Sequence, residues 1–147
     1  MDDLVRFLRA RLDDDERIAR EAIRVVGDVP GAANWRFGNA FTDEGGTYWQ
    51  ITTLTPEVGG VGPVELVGSG MRGGGAHEPE IARHAVAHDP ARVLRDIDGR
   101  RRTLIRCEEA LLSGNPMLTH FAKQTLREMA LSYKGTPGYE KALASAE

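Results

Sequence analysis

The sequence predicts an α+β fold, and three observations carry that expectation. Apolar residues recur in steps of three and four at both ends of the chain, over 1–27 and again from 90 onward. Aromatic and β-branched residues gather in short runs between 35 and 67, and glycine- and proline-bearing breaks separate these textures. Steps of three and four mark one face of a helix, whereas β-branched and aromatic runs mark strands. The architecture expected is an N-terminal helix over 1–27, a small antiparallel sheet of about three strands within 28–67, a glycine-rich linker over 68–76 and a helical region over 77–147. Together they are expected to form a single domain.

The first helix is read from Leu4, Val5, Leu8, Leu12, Ile18, Ala19, Ala22, Ile23 and Val26. Asp2 or Asp3 caps its start, and Gly27 ends it. The acidic run Asp13-Asp14-Asp15-Glu16 is expected on its solvated side, because consecutive helical residues do not converge on one point. Trp35-Arg36-Phe37 and Tyr48-Trp49-Gln50-Ile51-Thr52-Thr53-Leu54 read as strands joined through the turn chemistry of Asp43-Glu44-Gly45-Gly46. Pro63 to Gly68 is the candidate third strand. Three strands need a cover, which flanking helices supply.

Gly68 to Gly75 has the composition of a flexible connection, and no Lys-Ser/Thr follows its glycines to make a phosphate loop. A short helix is expected over Glu80 to Ala87. Asp89-Pro90 opens the next, since the carboxylate accepts a backbone N–H and proline at the first turn loses no bond. Val93, Leu94, Ile97, Leu104, Ile105, Leu111 and Leu112 sustain its period. Gly114-Asn115-Pro116 breaks it, and Leu118, Phe121, Ala122, Thr125, Leu126, Met129, Ala130 and Tyr133 mark the apolar face of a second helix. A break this short predicts an antiparallel helical hairpin.

Composition excludes some classes of function. Of the 147 residues 41% are hydrophobic, yet no apolar run reaches the roughly 20 residues that a membrane span needs. The acidic opening Met1-Asp2-Asp3, leading straight into an amphipathic pattern, is expected not to be a secretory leader, and a single cysteine, Cys107, fits a reducing cytoplasm. The net charge of −3 argues against nucleic acid as a default partner.

Four groups of residues are candidates for chemistry. Glu80, His84 and His88 are spaced by four, which places metal-ligating side chains on one helical face, with His77 nearby in sequence. Trp35 and Trp49 are core anchors or the walls of a ligand groove, and Arg92 and Arg95 are the matching phosphate-holding cations for a nucleotide-like ligand. The arginine-rich stretch Arg92 to Arg106 also carries Asp96 and Asp98, so its charge is mixed, as at a salt-bridged helix or a subunit interface. Cys107, between Leu104 and Leu111, reads as a small core residue rather than a nucleophile. No Gly-x-Ser-x-Gly elbow or other catalytic constellation stands out.

Several segments taken together resemble a known group. Met1-Asp2-Asp3-Leu4-Val5-Arg6-Phe7-Leu8 with Leu12 to Arg20, His88-Asp89-Pro90-Ala91-Arg92-Val93-Leu94-Arg95-Asp96-Ile97 with Gly99 to Arg102, and Thr125-Leu126-Arg127 with Ala130 to Tyr133 and Pro137-Gly138-Tyr139 are similar to an uncharacterised family of actinobacteria and their phages. The His-Asp-Pro-Ala-Arg-Val-Leu motif is the most specific part. The layout also resembles the ead-type early accessory proteins of lambdoid phages, with Pro30-Gly31 to Trp35 as the entry to the sheet. Members of the actinobacterial family often carry cysteines that suggest a zinc knuckle. With Cys107 alone, this chain does not inherit that site.

The resemblance implies a phage or prophage accessory protein in the bacterial cytoplasm and supplies neither catalytic residues nor a cofactor. The leading expectation is therefore a non-enzymatic protein that binds a host or phage macromolecule, as a homo-oligomer pairing through the 90–112 helix. The alternatives are a small nucleotide-like ligand binder and, behind it, a metal-dependent enzyme.

Overall fold

A computed structural model of the chain describes residues 1–27, 31–43, 46–54, 65–67 and 79–146. The fold is α+β, with several helices and a small antiparallel sheet. In chain order the elements are α1 (Asp2–Val26), β1 (Trp35–Asp43), β2 (Gly46–Thr53), β3 (Glu65–Val67), α2 (Pro79–Ala87), α3 (Pro90–Leu112), α4 (Pro116–Leu131) and α5 (Tyr139–Ala144). The glycine-rich linker, the centre of the 43–46 turn, Pro30 and His77 lie outside the described residues.

The chain forms two compact units, residues 1–17 with 95–147 and residues 18–94, so α1 and α3 each contribute to both. In the first unit Leu4, Leu8 and Leu12 are fully buried, one helical turn apart on α1. Ile97, Leu104 and Cys107 of α3 and Ala122, Leu126 and Ala130 of α4 are buried as well, as are Tyr133, Tyr139 and Ala142. Phe7 meets the edges of Tyr133 and Tyr139, with ring centroids 6.2 Å and 6.3 Å away. The start of α4 follows from Asn115, whose side chain accepts from the amides of Met117 at 3.0 Å and Leu118 at 3.3 Å, with Pro116 in the first turn.

In the second unit β1 and β2 pair antiparallel, with Trp35 opposite Thr53 and Phe37 opposite Ile51; the register shifts between Phe37 and Ala40. Gly38 stands at that shift. A Cβ there would lie 2.9 Å from the Cβ of Gln50, so the two backbones approach more closely than any side chain allows. β3 pairs with β2 at two positions. Helix α2 packs on β1 and β2 through the fully buried Ala82.

The Asp89-Pro90 opening of α3 is as expected, and Asp89 has a second role. One carboxylate oxygen accepts from the amide of Arg92 at 2.7 Å, while the other accepts from the amide of Trp35 at 3.3 Å. The amide of Ala91 also donates to the carbonyl of Ala33 at 2.9 Å. The helix cap thereby fixes the entry to the sheet.

Candidate functional site

The acidic run of α1 departs from expectation. Its members are engaged rather than simply solvated. Arg101 of α3 donates through Nη2 to Asp13 and through Nη1 to Glu16, each at 2.5 Å. These bonds favour the charged guanidinium and raise its pKa, that with Glu16 most strongly. Asp14 pairs with Arg17 at 2.8 Å, which lowers its pKa. Asp15 accepts from the hydroxyl of Tyr133 at 2.7 Å. Burial first, and the bond to Asp15 second, push the Tyr133 phenol up to about 12. Four successive helical residues point in different directions, and here each of the four meets a partner.

The next feature of this unit is a groove of about 250 Å³ lined by Asp2, Val5, Arg6, Arg9, Glu108, Leu111 and Leu112. Arg9 closes one side by donating to both carboxylate oxygens of Glu108, each at 2.7 Å. Leu112, at the rim, is 87% exposed. The first turns of α4 carry further exposed large apolar side chains, Met117 at 68%, Leu118 at 46% and Phe121 at 58%. Leu118 and Phe121 belong to the apolar face that the spacing of this helix marks. In fact only Ala122, Leu126 and Ala130 of that helix are buried; Leu118 continues their i, i+4 line toward the start of the helix and is exposed there. Ile18 of α1 likewise is exposed despite its apolar spacing.

The residues proposed for a nucleotide-like ligand divide between the units. Trp35, Trp49 and Arg92 belong to one, and Arg95 to the other. The indole N–H of Trp35 donates to the carbonyl of Ala32 at 3.3 Å, and Trp49 stacks on Phe37 with centroids 5.0 Å apart. The Arg83 guanidinium carbon lies 5.5 Å from the centre of the Phe37 ring. Arg92 donates to the carbonyl of Ala87 at 2.7 Å. Arg95 lines an open cleft of about 370 Å³ with Asp96, Gly99, Arg100, Thr103 and Met129. Each tryptophan therefore has a local structural partner.

Of the candidate metal ligands, His84 and His88 come together, with ring centroids 4.3 Å apart. Glu80 faces Arg83 at 3.9 Å. No group of three or more His, Cys, Asp or Glu side chains able to hold a metal occurs among the described residues. Cys107 is buried, and burial, helped by the charge of Glu108, raises its thiol pKa. A raised pKa suppresses the thiolate that a nucleophile needs. Among the described residues no helix is long and apolar enough to cross a membrane.

Sequence reasoning could have found the exposed apolar surface from one signal. Residues 110–122 contain no Asp, Glu, Lys or Arg, in a chain of which 28% is charged. Residues 1–144 match a protein family described as a family of unknown function (DUF6221). No curated protein matches the chain, and no solved structure does.

Proposed function

The chain belongs to this family of unknown function, and we propose that it is a non-enzymatic accessory protein that works by binding, as a homo-oligomer. The observation that carries this reading is the apolar surface of Leu112, Met117, Leu118 and Phe121. Large apolar side chains left open to water over adjoining turns mark an interaction surface. We assign the occupant as a second copy of the chain. Residues 110–122 carry no formal charge, so this segment itself adds no like-charge repulsion to a contact between two copies. A two-fold contact then buries the same residues on both partners. This moves the pairing surface from the expected 90–112 heptad face to the junction of α3 and α4.

The antiparallel α3–α4 hairpin is part of the reading. It is supported by the bond from Arg100 Nη1 to the hydroxyl of Ser132 at 3.1 Å. The phage or prophage setting and a host or phage macromolecule as the eventual target rest on the sequence resemblance, and the bacterial cytoplasm rests on that resemblance and on the single cysteine, Cys107. Sedimentation equilibrium over a series of protein concentrations tests the association. A mass that rises with concentration toward a multiple of 16.1 kDa supports it, and a constant monomer mass removes it.

A further inference from the structure

The geometry points to a surface site for a late first-row transition-metal dication, Cu²⁺ foremost, held by the Nε2 atoms of His84 and His88. Its first support is tautomeric. His88 Nδ1 lies 2.9 Å from the backbone carbonyl oxygen of His84. A carbonyl oxygen can only accept, so Nδ1 carries the proton and donates it. In the neutral ring this leaves Nε2 with its lone pair available. A backbone carbonyl fixing the far nitrogen of an imidazole is the arrangement that orients metal-bound histidines.

The second support is the separation of the rings. Metal–imidazole bonds of about 2.0–2.1 Å, with two rings at right angles on one ion as in a tetragonal Cu²⁺ site, place the ring centroids about 4.5 Å apart. The observed 4.3 Å meets this requirement. Both side chains are exposed at the end of α2, His84 in its last turn and His88 just beyond it, so an ion reaches them without rearrangement of the core.

The ligand set differs from the Glu80–His84–His88 triple that the spacing suggests, since Glu80 faces Arg83. Two imidazoles with water in the remaining positions favour the metals at the top of the nitrogen-ligand affinity order, Cu²⁺ ahead of Ni²⁺ and Zn²⁺. The site stands independently of the proposed association, because it lies in the unit of residues 18–94 and the apolar surface lies in the other.

The test is titration of the full, untagged chain with Cu²⁺, followed by calorimetry and by electron paramagnetic resonance. The expected result is one Cu²⁺ per chain with nitrogen hyperfine structure from two imidazoles. Both signals should be lost in His84→Gln and in His88→Gln and retained in His120→Gln. Circular dichroism confirms that the variants are folded, as expected for substitutions at exposed side chains. Absence of saturable binding, or binding unchanged in either His84→Gln or His88→Gln, overturns the assignment.

Discussion

Tyr133 donates its hydroxyl to the Asp15 carboxylate at 2.7 Å, across 118 residues of chain. The phenol is mostly buried, and its pKa is pushed up to about 12. A phenol whose folded pKa exceeds its unfolded value of about 10 stabilises the fold fully below pH ~10 and loses that contribution as pH rises through its folded pKa. Tyr133→Phe is therefore expected to lower stability by about 1 kcal/mol at neutral pH. The difference between the two proteins should shrink only above pH ~10. Urea unfolding of both proteins across pH checks this, and a difference that falls away below pH 9 counts against it.

Arg101 ties two members of the same acidic run, Asp13 and Glu16, to α3. The pair is partly exposed, so water screens it, and truncation to Met should cost about 1 kcal/mol. Because the interaction is ionic, the loss should diminish in high salt. A double-mutant cycle of Arg101→Met with Glu16→Gln should return a favourable coupling energy, and additive effects would refute the pairing.

Two glycines should respond to alanine in opposite directions. At Gly38 the new Cβ meets Gln50 at 2.9 Å, and the strands must separate at a cost of about 1–3 kcal/mol. At Gly99, within α3, nothing lies within 4 Å of the added atom. Gly99→Ala should then stabilise by about 0.5–1 kcal/mol, through helix propensity and reduced freedom of the unfolded chain. Thermal melts of the two variants read both signs directly.

What the sequence made legible was local. The Leu4–Leu8–Leu12 face, the Asp89-Pro90 opening and the Gly114-Asn115-Pro116 break each depend on residues within a few positions of one another. The partners of the acidic run were out of reach because Arg101 and Tyr133 are brought in by tertiary folding. Leu118 and Phe121 show another limit. Periodicity identifies which side chains share a helical face, and it does not say whether anything covers them. The candidate sites follow the same pattern. The spacing of His84 and His88 foresaw their contact, whereas four scattered residues, Trp35, Trp49, Arg92 and Arg95, had no local rule to join them.

The central claim is that the uncharged apolar surface at the junction of α3 and α4 is where copies of this chain meet. The most direct measurement is the concentration-dependent mass of the wild-type protein beside that of Phe121→Asp, by sedimentation equilibrium. Phe121 is 58% exposed, so the charge is carried into water and the fold should be retained, which circular dichroism verifies. The account predicts an associating wild type and a variant that stays monomeric at the same concentrations, because association would bury an unpaired carboxylate on each copy. A wild type that is monomeric throughout, or a variant that associates as well as the wild type, would contradict it.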